Sequence, residues 1–277
     1  MEPEETQSFT SADLDPSDIH SKGKRIRWNG LKGIQYTLDP DAVMIVLPWP
    51  DSIEKPFIVV RGNYRSVRTG VQPRITKCYN RSYKYSGQVH PVEAVTPDNI
   101  QAIIDFTVEM YSTENKPTSI PSIIGSEVPM CLSNYYPTCH HCINRHSDDE
   151  KQFSPNIPDV ICWILGGENR RLIIRNAETK RNIKKGIVGK IVLSLHLSNC
   201  IYIMSGSKFQ TNYTHEIPRE YGALFKRMCE NPKVPDDLES LLKADWLLVH
   251  SEVGSKYPGY DEWVKGRTSF TIRFFAS

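Results

Sequence analysis

The last strand-like segment, Arg267 to Phe275 (RTSFTIRFF), constrains the fold more than any other stretch. Side chains alternate across an extended chain, so Arg267, Ser269, Thr271 and Arg273 share one face while Thr268, Phe270, Ile272 and Phe274 share the other. A strand that is apolar on one side and carries two arginines on its inward side must supply anions to those guanidinium groups, because buried unpaired charge is costly. Core Asp or Glu residues would meet the need, and so would a bound dicarboxylate held bidentately. Upstream lie further short runs: Asp159 to Leu165 (DVICWIL), Arg171 to Arg175, Lys190 to Leu197 and Cys200 to Ser205, separated by Gly, Asn and Lys-rich turns. Short strands at such spacing predict a β-sandwich or barrel. Two apolar runs between Ala42 and Val60 flank Asp51 to Lys55 and read as core, either a hairpin or a strand followed by a helix end. One helix is expected from Thr96 to Tyr111, with Thr96 as N-cap, Pro97 at the first position and apolar or small residues at 100, 103, 104, 107 and 110 facing inward.

At 277 residues the chain accommodates one large domain or two small ones, with a sizeable core. A net charge of +2 is too small to name a partner, so the distribution of charge carries more information. Residues 1–20 are rich in Asp, Glu, Ser, Thr and Pro with little to bury, the composition of a disordered acidic tail. Lys22 to Trp28 (KGKRIRW) is basic, and reads chiefly as a solvated entry to the domain. From Lys55 to Val92 there is no acid, while eight lysines and arginines, Arg65, Arg74 and Arg81 among them, alternate with Tyr64, Tyr79, Tyr83 and Tyr85. Uncompensated charge interleaved with stacking rings suits a phosphate backbone and exposed bases, although a solvated cationic face would have the same composition. A second acid-poor belt, Arg170 to Lys190, reads as hairpin decoration. Seven cysteines without repeated C-x-x-C pairs favour reduced thiols, and no signal-like or membrane-length apolar run is evident. The expectation is an intracellular chain, nuclear or cytoplasmic, that is not secreted and has no membrane partner.

Asn134 to Glu150 reads NYYPTCHHCINRHSDDE. On an extended segment His146 and Asp148 point the same way, and with one distant His they would complete a facial triad suited to non-haem Fe(II). His215, after the CIYIMSGSKF strand and turn, is the best third ligand. His196 lies within a strand, and His20, His90 and His250 fall in expected loops or helix ends. The consecutive Cys139, His140, His141 and Cys142 cannot easily converge on one tetrahedral centre, so that run is expected to be a loop.

Taken together, Asn134 and Tyr136, the His146 to Glu150 run, His215, and Arg267 and Arg273 at R-x5-R spacing resemble the AlkB family of Fe(II)- and 2-oxoglutarate-dependent dioxygenases. Pro73 to Gly87 is similar to the family's nucleotide-recognition segment. The resemblance spans about Arg61 to the C-terminus and leaves the tail and first strands outside. It implies a mainly β double-stranded β-helix, or jelly roll, with flanking helices, comprising an N-terminal extension and recognition segment over 21–130 and an oxygenase core over 131–277. It also implies Fe(II) on His146, Asp148 and His215, with 2-oxoglutarate held by Asn134, Tyr136, Arg267, Ser269 and Arg273. Glu150, Arg74, Tyr79, Tyr83 and Tyr85 would contact a base flipped from its stack. The implied activity, using O2, is oxidative demethylation of N-alkylated bases in DNA or RNA by a monomer, as in repair of alkylated nucleic acid, releasing succinate, CO2 and formaldehyde. One departure is the long interval between His215 and Arg267, whose residues 216–265 read as a helical insertion. Two alternatives stay open: an oxygenase acting on a protein or small molecule, and a non-catalytic nucleic-acid-binding relic of the fold.

Overall fold

The computed structural model describes residues 23–56, 75–85, 88–123, 127–136, 142–150, 152–166, 170–177, 189–218 and 267–275. The acidic tail, Arg74, Cys139 to His141, His20, His250 and nearly all of the 216–265 insertion lie outside them.

The chain opens with β1 (Gly23–Trp28), β2 (Leu31–Asp39) and β3 (Ala42–Pro48). Asn29 and Gly30 join the first two with φ values of 46° and 78°, the doubly positive geometry of a two-residue hairpin turn. The Asn-Gly pair suits this turn because both residues tolerate positive φ. Trp28, within the basic opening segment, is fully buried; its indole Nε1 donates to Met110 O at 3.1 Å and its ring packs 5.5 Å from Tyr111.

Next come β4 (Ile75–Tyr79), the small pair β5 (Tyr83–Tyr85) and β6 (Gln88–His90), and helix α1 (Asp98–Ser112). Ile100, Ile103, Ile104, Thr107 and Met110 form the buried face of α1, the stripe expected from their spacing. The start of this helix differs from expectation. Pro97 occupies the cap position without a side-chain cap, and the Thr96 hydroxyl instead donates to Asn80 Oδ1 at 3.1 Å. A tertiary partner thus outcompeted the local capping bond.

The remaining elements are β7 (Val128–Tyr136), β8 (Ile143–His146), β9 (Val160–Gly166), β10 (Arg171–Asn176), β11 (Ile191–His196), β12 (Cys200–Ser205), the short α2 (Phe209–Asn212), β13 (Tyr213–Ile217) and β14 (Arg267–Phe275). An eight-stranded antiparallel sheet runs β1-β2-β3-β12-β9-β14-β7-β4, and a four-stranded antiparallel sheet runs β11-β10-β13-β8. The protein is mainly β, with strands from both ends of the chain sharing the larger sheet.

Alternation sorts that sheet into two buried faces. Val43, Ile45, Leu47, Ile161, Trp163, Phe270, Ile272 and Phe274 pack with the buried stripe of α1. Met44, Val46, Cys162, Ile164, Tyr202 and Met204 pack instead against Leu172, Ile174, Leu193 and Leu195 of the smaller sheet. Strands buried on both sides read as continuous apolar runs, which is why AVMIVLP shows no polar alternation. Among the described residues no helix is long and apolar enough to cross a membrane.

Candidate metal centre and its pocket

Strand register brings the triad together. β13 lies between β10 and β8, and in its pairing with β8 His215 stands directly opposite His146. The chain leaving β8 then returns Asp148 toward both. One ligand atom from each of His146, Asp148 and His215 lies within 4.8 Å of the others, so the three can hold a metal ion. His146 Nε2 is 3.4 Å from Asp148 Oδ1 and His215 Nε2 is 3.7 Å from Asp148 Oδ2.

The surroundings orient these groups. His146 Nδ1 lies 2.8 Å from Asn144 O; a carbonyl only accepts, so Nδ1 donates there and Nε2, which faces Asp148, is the nitrogen that a cation would take. Burial pushes His215 down to about 3, aided by repulsion from His146, so it is neutral at physiological pH as a ligand must be. Burial opposes ionisation of Asp148, yet the His146 hydrogen bond and neighbouring positive charge outweigh it and hold the carboxyl well below its ordinary range. Arg273 adds a further positive charge beside that carboxylate. Its guanidinium donates to Asp148 O at 3.1 Å, approaches Asp148 Oδ2 at 3.6 Å, and lies 3.6 Å from the centroid of the Phe153 ring.

Arg273 belongs to the inward face of β14, as the sequence alternation required. Arg267, Ser269 and Arg273 are all buried, while Phe270, Ile272 and Phe274 point into the opposite core. Register on β7 sets Arg267 opposite Tyr136 and Ser269 opposite Asn134, both buried. Arg267 is wholly buried, and none of its three guanidinium nitrogens has a hydrogen-bond partner. A buried cation in that state is a strong demand for an anion. The residues present thus fit a small divalent cation beside a carboxylate-bearing molecule: two imidazoles, one carboxylate, and a guanidinium without a hydrogen-bond partner on the same sheet face.

The pocket at this centre is lined by Tyr83, Asn134, Tyr136, Phe153, Ser269 and Thr271 in addition to the triad and Arg273. Tyr83 Oη donates to Glu150 Oε1 at 2.8 Å, and its ring stacks 5.8 Å from Phe153. Glu150 Oε2 is buried without a partner, and burial together with the Asp148 charge raises its affinity for protons. Of the other expected base-contacting residues, Tyr79 does not reach the pocket. It is buried in the α1-side core, because on β4 it faces away from its neighbour Cys78, which packs with Tyr83 and Phe153. Tyr85 lies in β5, and Arg74 is outside the described residues. His196 ends β11 and His90 ends β6, stacked 6.0 Å from Tyr83.

Two contributors escape sequence reasoning. Phe153 supplies the face on which Arg273 rests, and Gln210 of α2 accepts the Asp148 backbone N–H on its Oε1 at 2.9 Å. Neither has a local signal, since each acts on a residue brought near only by folding. Cys78, Cys131, Cys142, Cys162 and Cys200 are free and buried. No protein-family model matches the chain, and no curated protein matches it either.

Proposed function

We propose that this protein is an Fe(II)- and 2-oxoglutarate-dependent dioxygenase of the AlkB type that oxidatively demethylates N-alkylated bases in DNA or RNA. One observation carries the reading: a His146, Asp148 and His215 triad with ligand atoms within 4.8 Å of one another, beside a β14 face whose buried Arg267 lacks any anion. The two antiparallel sheets, with the centre between them, are read as the jelly roll of that enzyme class.

His146 Nε2, the Asp148 carboxylate and His215 would hold the iron. Bound there with 2-oxoglutarate and O2, iron supplies the oxidation that hydroxylates an N-linked methyl group, yielding succinate and CO2, with formaldehyde released as the product collapses. The protein's own work is placement. Arg267, with Asn134, Tyr136 and Ser269 around it, binds the distal carboxylate of the co-substrate in a dry setting where charge-assisted bonds are strong. Arg273 keeps Asp148 ionised and fixed, and Phe153 keeps Arg273 in place. Tyr83 and Phe153 form an aromatic wall against which an extruded base stacks, and the unpartnered Glu150 Oε2 faces the need for a donor, which an exocyclic amine provides. The acid-free tyrosine-rich segment from Lys55 to Val92 supports nucleic acid over other substrates. The free buried thiols accord with a nuclear or cytoplasmic setting.

The test is release of formaldehyde and succinate from a panel of methylated single- and double-stranded oligonucleotides, with Fe(II) and 2-oxoglutarate present. Turnover by the native chain and its loss in H146A are expected. Untouched oligonucleotides alongside turnover of a protein or small molecule would move the assignment to that substrate class.

A further inference from the structure

Outside the candidate centre, the charge pattern of the β1–β2 hairpin stands apart. Between Asp18 and Asp39 the chain has no acid, yet it carries Lys24, Arg25, Arg27 and Lys32 on this hairpin. The Asn29-Gly30 turn fixes the register, so that Arg27 stands directly opposite Lys32 and Arg25 opposite Ile34. Arg25, Arg27 and Lys32 therefore share one face of the ribbon, and all three are exposed. Among the described residues none of them has an ion pair; the ion pairs of the chain lie elsewhere, as Lys77 with Glu93, Arg175 with Glu216 and Lys208 with Asp41. Like charges directly opposite on paired strands are destabilising, and no acid offsets them here.

We infer that the Arg25, Arg27 and Lys32 face is a sequence-independent docking surface for a nucleic-acid backbone, set apart from the candidate centre. Polyanion is the complement of three uncompensated cations held in fixed register on a rigid ribbon. Arginine and lysine on an edge strand also guard against edge-to-edge pairing, which any charge would do and which requires no particular sign. That difference in sign separates the two explanations. The surface has a predicted reach as well. β1 and β14 are five strand intervals apart in the larger sheet, roughly 24 Å at about 4.8 Å per interval. A strand engaged at the centre must therefore extend beyond about seven base steps, at about 3.4 Å each, to touch both.

This inference rests on the nucleic-acid reading of the centre, but its assay is binding and not turnover, so the two fail separately. Unmodified oligonucleotides of about 4 and about 24 nucleotides, the shorter unable to span the gap, are titrated against the full chain across a salt series. Three phosphate contacts on a single strand correspond to about 2 units of log-affinity slope against log salt. The R25E/R27E/K32E variant, which stays charged at the edge, is expected to lose at least that slope on the longer oligonucleotide and to bind the shorter, which can sit on the hairpin alone, more weakly than the native chain. R25Q/R27Q/K32Q is expected to lose the same slope. Melting temperatures of both variants no lower than that of the native chain show that the hairpin remains folded. An unaltered slope in the folded variants, or no salt-dependent binding of the longer oligonucleotide by the native chain, overturns the docking surface whatever the methylated panel shows.

Discussion

Replacing Arg267 by Met tests the site through stability, independently of catalysis. In the ligand-free protein the guanidinium is wholly buried and none of its nitrogens is hydrogen-bonded. An ion in that position costs several kcal/mol even after relaxation, and methionine fills much of the same volume without charge. After allowing about 1 kcal/mol for imperfect packing, R267M is expected to gain roughly 3 kcal/mol in the absence of co-substrate. For a chain of this size that corresponds to a rise of about 6 to 12 °C in melting temperature. Ligand response should move the opposite way. With a redox-inert divalent ion and 2-oxoglutarate at about a hundred times its Kd, the native chain gains about 2.7 kcal/mol, and R267M gains little from the co-substrate. Thermal melts of both proteins, with ion alone and with ion plus 2-oxoglutarate, read all four states. A variant that is less stable than the native chain without ligand, yet equally stabilised by 2-oxoglutarate, would refute the idea that Arg267 waits for that carboxylate.

Substituting His215 by Ala should reduce divalent-ion binding, measured by calorimetry, at least tenfold while leaving the fold intact, because its imidazole faces Asp148 and packs against the His146 ring, with centroids 4.2 Å apart, inside the centre itself. Asp159 offers a pH test: it is fully buried, accepts from Tyr111 Oη at 2.8 Å, and burial raises it from 3.8 to about 6. A carboxyl raised on folding contributes stability below its unfolded value that is lost as pH climbs through its folded one, so the stability of the native chain relative to D159N should fall by roughly 2.4 kcal/mol between pH 4 and pH 8. Denaturant titrations at the two pH values check the sign, and a relative stability that rises with pH would contradict it. Gly206 carries φ of 118°, and a β-carbon added there would collide with the Asp41 carbonyl oxygen, so G206A should cost at least about 2 kcal/mol in chemical denaturation and loosen the turn that leads to His215.

Much of this protein was readable one strand at a time. Period-two alternation is a local property of the extended chain, and so the division of β14 into an arginine face and an aromatic face needed no coordinates. The apolar stripe of α1 and the strands β3, β9, β10, β11 and β12 followed from local patterns in the same way, whereas the hairpin β1–β2 and the strands β4, β5 and β6 were not expected. Capping of α1 was less local, because Thr96 found a better partner in Asn80 than in the helix. Tyr79 and Tyr83, alike in sequence as members of one basic and aromatic belt, parted company on folding. Tyr79 went to the α1-side core, since pairing with β7 fixes which side of the larger sheet each β4 residue faces, while Tyr83, on the separate β5–β6 pair, went to the pocket. The sequence by itself determined the residue types available and the face of its own strand on which each lies. Only the tertiary structure decided that His215 stands opposite His146, that Arg273 rests between Asp148 and Phe153, and that the buried Arg267 guanidinium has no hydrogen-bond partner. Those outcomes depend on register between strands distant in sequence, and register is set by the packing of both sheet faces at once.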